Sequence, residues 1–128
     1  MRLGIIVADF NEKMTGKMLA KAEATASELG METTVKHVPG VYDMPLQIKK
    51  MLPSVDAVVL LGVVKKGLTA HDVVVAENTA RLAADLSLEF GKPVTLGVIG
   101  PDASLDVAAD RLEEYAFRAV QAANVLVE

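Results

Sequence analysis

The sequence predicts an α/β fold, a four-stranded parallel sheet of order 2-1-3-4 with helices on both faces. Three observations carry that prediction. Short apolar runs recur at Arg2 to Ala8, Asp56 to Val64 and Val94 to Ile99. The run from Asp56 is almost wholly β-branched or Leu with no polar alternation, which is what a strand covered on both faces requires. Segments of helical period separate the runs, so right-handed crossovers place the strands parallel.

Taken in order, Arg2 to Ala8 is strand 1. Asn11 to Leu29 carries Met14, Met18, Ala22, Thr25/Ala26 and Leu29 at helical spacing and stops at Gly30. Met31 to Val38 mixes Thr and Val with Glu32, Lys36 and His37, as an edge strand does, and His37 reads as structural there. Pro39 to Asp43 is a loop, Met44 to Leu52 a short helix running up to Pro53, and Asp56 to Val64 strand 3. Asp72 to Phe90 is a long helix with Gly91 and Pro93 as its stop signal. Val94 to Ile99 is strand 4, Gly100-Pro101-Asp102 a turn, and Leu105 to Leu126 an amphipathic last helix.

At 128 residues and 52% hydrophobic content, the chain is expected to form one domain spanning 1–128 with a real core. Zero cysteines exclude a disulfide scaffold, a thiolate metal site and a thiol nucleophile. No secretory leader pattern opens the chain, and no apolar stretch approaches the ~20 residues that span a bilayer, so it reads as cytoplasmic with no membrane partner. A formal charge of −4 without a long basic cluster argues against nucleic acid.

In such a sheet ligands bind beyond the strand C-termini, here at the ends of strands 1 and 3. Strand 3 runs into Lys65-Lys66-Gly67-Leu68-Thr69-Ala70-His71-Asp72. Thr69 with Asp72 resembles a capping box, which would make Thr69 the N-cap and His71 a first-turn residue. A helix N-terminus favours an anion such as phosphate, and an imidazole there can take up and pass on a proton near neutral pH. The plainer reading is an ordinary cap with surface lysines.

Of three Phe and two Tyr in the chain, Phe10 follows strand 1 and Tyr42 follows strand 2. An aromatic there can stack on a planar heterocycle, and Asp43 can accept hydrogen bonds from sugar-type hydroxyls. Alternatively both aromatics close the core beneath loops. Strand 4 is too apolar for a bare edge, and the last helix carries Ala on more than one face, which together predict a subunit interface. Arg111 could then serve a neighbour's pocket, although an arginine on a helix is commonly just solvated charge.

Four motifs in order carry a resemblance over nearly the whole chain. Ala8-Asp9-Phe10-Asn11-Glu12, Val38-Pro39-Gly40-Val41-Tyr42-Asp43-Met44-Pro45, Leu61-Gly62-Val63-Val64 with Gly67-Leu68-Thr69-Ala70-His71, and Lys92-Pro93-Val94-Thr95-Leu96-Gly97 resemble lumazine synthase in its archaeal form. The resemblance implies a flavodoxin-like fold and the penultimate step of riboflavin biosynthesis. In that step 5-amino-6-(D-ribitylamino)uracil condenses with 3,4-dihydroxy-2-butanone 4-phosphate, giving 6,7-dimethyl-8-ribityllumazine and releasing phosphate and water. It further implies that Phe10 stacks on the pyrimidine, that Val41, Tyr42 and Asp43 line the pocket with Asp43 on ribityl hydroxyls, and that Val63, Val64 and Lys65 bind the uracil. Leu68 and Thr69 would hold the phosphate with Arg111 of a neighbouring subunit, Leu96 of a neighbour would wall off the ring, and His71 would move protons. No metal or cofactor is implied, because both nucleophile and leaving group come with the substrates.

The chain departs from the family at Lys65-Lys66, where Ile-Arg or Ile-Gln is common; a lysine does not reproduce a bidentate arginine contact. Leu96 replaces an aromatic of many bacterial members, and a Gly-Asn-Lys-Gly-like segment before the last helix is missing, with Arg118 a substitute for its lysine. Three other readings compete. An archaeal-type riboflavin synthase would not need the phosphate-type turn. A receiver domain has the right size, but Asp56 precedes strand 3 and Lys92-Pro93 precedes strand 4. A flavin-binding or shell protein without turnover would use Phe10 and Tyr42 equally well. The family assembles as pentamers, decamers or icosahedral shells, and a chain starting at strand 1 suggests a smaller assembly.

Overall fold

The computed structural model describes residues 1–67 and 69–127. β1 (Arg2–Ala8), α1 (Glu12–Glu28), β2 (Glu32–Val38), α2 (Met44–Met51), β3 (Ala57–Lys65), α3 (His71–Phe90), β4 (Val94–Ala103) and α4 (Leu105–Leu126) follow one another, with single 3₁₀ turns at Val41–Asp43 and Leu52–Ser54. The sheet order is β2-β1-β3-β4, and every neighbouring pair is parallel. This is the flavodoxin-like arrangement the apolar runs predict.

The all-apolar run of β3 conceals a period of two that only the packing reveals. Ala57, Val59, Leu61 and Val63 enter the core shared with α1 and α4, together with Leu3, Ile5 and Val7 of β1. Val58, Leu60 and Val64 enter the opposite core with Ile6 and Ala8, beneath α2 and α3. Successive side chains point to opposite faces, so both faces must be apolar where both are covered. Leu60 is fully buried, and trimming it to alanine would cost about 2–5 kcal/mol in lost transfer energy and cavity.

Side chains tie the layers together where backbone pairing ends. The Thr95 hydroxyl of β4 donates to the Ala119 carbonyl of α4 at 2.8 Å, and Lys21 of α1 lies 5.6 Å from the Phe117 ring centre on α4. Gly91 ends α3 with φ +63°, the left-handed conformation favoured at a helix C-terminus.

Two local expectations are corrected. The strand expected to stop at Ile99 continues through Gly100-Pro101-Asp102 to Ala103, with a register shift opposite Val63 to Lys65. An irregularity absorbs the turn-type residues, and a proline without an N–H is tolerated on an outer strand. The N-cap of α3 is Ala70, with no side-chain cap. Thr69 instead accepts the His71 N–H at 3.3 Å, two residues on, which is a short hydroxyl turn and not a capping box. β4 is an outer strand on which Leu96 is half exposed.

Candidate functional site

At the C-terminal ends of β1 and β3 lies a cleft of about 400 Å³. Strand order dictates its position, because the chain leaves the sheet in opposite directions on either side of β1 and β3. Each wall comes from one connection. Phe10 arrives from the β1–α1 link, where the Asp9 and Phe10 N–H groups donate to the carbonyls of Val38 and Pro39 at 2.8 and 3.0 Å. Asp9 also meets His37 Nδ1 at 2.8 Å, so the residue read as structural does brace this edge. Asn11 then takes φ +67°, a left-handed conformation that asparagine tolerates better than most residues. Its side-chain amide donates to the Val63 carbonyl at 3.4 Å, joining this link to β3.

Phe10 and Tyr42 are 58% and 60% exposed, which decides between the two readings of these aromatics: neither closes the core. Both line the cleft, with Val41, Val63, Val64 and Val75 as further apolar wall. Polar side chains complete the lining of the cleft. Lys65, Thr69 and His71 line it, as does Asp72, which is 7% exposed in the first turn of α3. The positive end of the α3 dipole favours an anion there, while the Asp72 carboxylate offsets part of that attraction. An anion in this corner therefore gains from further cations, and Lys65 supplies one at the rim.

The structure brings together eight of the residues predicted from sequence: Phe10, Val41, Tyr42, Val63, Val64, Lys65, Thr69 and His71. Leu68 lies outside the described residues. Asp43 stands beside the cleft in the same turn as Tyr42, and its carboxylate accepts the Gly40 N–H at 3.0 Å. Leu96 faces a different groove of about 150 Å³, shared with Glu77, Thr79 and Gly100. Arg111 and Arg118 sit on α4, 3.8 and 3.4 Å from Glu114, and line neither cavity. Among the described residues no cluster of metal-type ligands occurs, and no helix is long and apolar enough to cross a membrane.

Gly40, Gly67, Asp72 and Val75 also line the cleft without having been singled out as site residues. Val75 was findable, since it lies one helical turn beyond His71 and so shares its face. Asp72 carried no such signal, because an acid in a first turn is ordinary helix chemistry.

Comparison with known proteins agrees with this geometry. The family model described as 6,7-dimethyl-8-ribityllumazine synthase matches residues 1–128. Curated proteins of that name include one from Saccharolobus solfataricus, 55% identical over all of this chain and 85% of its own length. Others come from Pyrobaculum arsenaticum, 50% identical over 96% of this chain and 84% of the relative, and from Metallosphaera sedula, 49% identical over 96% and 83%. With cleft, strand order and full-length match in agreement, the chain belongs to the 6,7-dimethyl-8-ribityllumazine synthase family of transferases.

Proposed function

We propose that this chain, acting as one catalytic domain over 1–128, condenses 5-amino-6-(D-ribitylamino)uracil with 3,4-dihydroxy-2-butanone 4-phosphate. The product is 6,7-dimethyl-8-ribityllumazine, and phosphate and water leave in the penultimate step of riboflavin biosynthesis. The observation that carries this reading is that one cleft gathers the exposed aromatics Phe10 and Tyr42 with Thr69 and His71 from the β3–α3 link and the start of α3. A planar pyrimidine suits the aromatics, and a phosphate ester suits the helix start.

In this reading Phe10 stacks on the uracil, Val63, Val64 and Lys65 hold its polar edge, and the Val41–Asp43 turn receives the ribityl chain. Leu68 and Thr69 hold the phosphate, with Arg111 of a neighbouring subunit. His71 carries protons as the amine adds to the carbonyl, phosphate is eliminated and the ring closes. Amine and leaving group both belong to the substrates, so the protein contributes orientation and proton transfer.

The active assembly is a pentamer or a multiple of one, working in the cytoplasm, with each cleft completed by a neighbour. Two features support shared sites. Leu96 is 46% exposed on an outer strand, and Arg111 is exposed on α4 and lines neither cavity of its own chain. Incubation of purified protein with both substrates tests the activity: product fluorescence and phosphate should appear together, faster than in protein-free controls. A rate equal to the controls, or riboflavin formation from the lumazine alone, would overturn it.

A further inference from the structure

A threonine inside a helix has a default acceptor, the carbonyl one turn back, and Thr25 of α1 uses it, donating to Lys21 at 2.8 Å. Thr79 of α3 does otherwise. The residue is 1% exposed, and its hydroxyl donates across the interface to the Val41 carbonyl at 3.2 Å. That carbonyl also accepts the Met44 N–H, so both of its lone pairs are engaged.

The other end of Val41 is held as well. A Cβ on Gly62 of β3 would stand 2.6 Å from Val41 Cγ2, so the missing side chain is the seat into which Val41 fits. Past the turn, Met44 is fully buried and anchors the chain again. Between these anchors Tyr42 and Asp43 are exposed, and two hydrogen bonds join the turn to itself, Asp43 N–H to the Gly40 carbonyl at 3.0 Å and Gly40 N–H to the Asp43 carboxylate at 3.0 Å.

We infer that Thr79 is a positioning residue for the uracil-binding half of the cleft, fixing the Val41–Asp43 turn through the Val41 carbonyl against the seat left by Gly62. The inference rests on the functional reading above, in which that turn receives the ribitylaminouracil. Thr79 lines the smaller groove and not the cleft, so its influence on substrate passes through Val41. The phosphate corner is built on the β3–α3 link and the first turn of α3, about two turns before Thr79, so loss of this hydrogen bond should act first on the turn that receives it.

Steady-state kinetics of wild type, Thr79→Val and Thr79→Ser with both substrates test it. Thr79→Val keeps the shape and removes the donor. It should raise KM for the ribitylaminouracil roughly 3- to 10-fold, the worth of one hydrogen bond, and leave KM for the butanone phosphate within about 2-fold. Thr79→Ser should stay within about 2-fold of wild type for both. Equal changes in the two KM values, no change in either, or a serine variant as impaired as the valine variant would overturn the proposal. Should Thr79→Val not fold, Gly62→Ala displaces Val41 from its other side and must give the same split; an unsplit result overturns it equally. A wild type that folds and makes no lumazine fails earlier, sinking the functional reading and this proposal with it.

Discussion

The Asp43 carboxylate accepts the Gly40 N–H at 3.0 Å, three residues back across its own turn. The acid assigned to ribityl hydroxyls therefore has one oxygen engaged before any substrate arrives. Asp43→Ala should lose both functions, raising KM for the ribitylaminouracil roughly 10-fold or more, whereas Asp43→Asn keeps an acceptor and should lose less. Unchanged KM in the alanine variant would remove Asp43 from the site.

His71 lines the cleft at the start of α3. Replacing it with alanine should lower kcat by roughly 10²- to 10⁴-fold once the uncatalysed condensation is subtracted, with smaller changes in KM. Pre-steady-state absorbance of the lumazine product separates chemistry from release. A kcat within a factor of about two of wild type would end the proton-transfer assignment.

Phe10 is 58% exposed, so its contribution to the core is slight. Phe10→Ala should leave the melting temperature nearly unchanged and weaken binding of the fluorescent lumazine product by roughly 3- to 10-fold, the range expected for lost aromatic stacking. A fluorescence titration reads this directly, and equal affinity would make the ring a bystander.

Arg111 lies on the exposed side of α4, 3.8 Å from Glu114. Acting in a neighbour's cleft, Arg111→Ala should raise KM for the butanone phosphate several-fold more than KM for the uracil. Matching effects on both substrates would remove its phosphate role, and sizing by light scattering establishes whether subunits associate at all.

The Lys92 ammonium donates to the Leu52 carbonyl at 2.7 Å, fastening the chain ahead of β4 to the turn that follows α2. Lys92→Met keeps the stem and removes the charged donor. Denaturant unfolding should register a loss of about 1–2 kcal/mol, with catalytic constants unchanged. Stability equal to wild type would show that water replaces the ammonium without cost.

How much of this was legible in the sequence differs between elements. β1 ends where the apolar run does, and β3 and α3 lie within a residue of their expected limits, because burial on two faces and helical period both leave local traces. The course of β4 left none, since Gly100-Pro101 reads as a turn until the neighbouring strand is seen to accommodate it. The cleft followed from strand ends, which is why Phe10, Tyr42 and His71 converge as expected. Leu96 and Arg111, expected to serve a neighbour's cleft, lie outside this one. Thr79 was invisible: its partner lies 38 residues away, and a buried helical threonine looks the same whichever carbonyl it chooses.

The alternation along β3 has a consequence for how this protein can change. Val58, Leu60 and Val64 share their core with Val41 and Val75 of the cleft wall. Ala57, Val59 and Leu61 face α1 and α4 instead. A lineage adapting to heat or cold could therefore repack the α1–α4 side around Ala57, Val59 and Leu61 with little effect on the cleft, whereas Val63, which belongs to that core and also lines the cleft, would carry a change across. Innovation in substrate choice would come more readily from the other side, where Val41, Val64 and Val75 belong to the core beneath α2 and α3 and line the cleft as well.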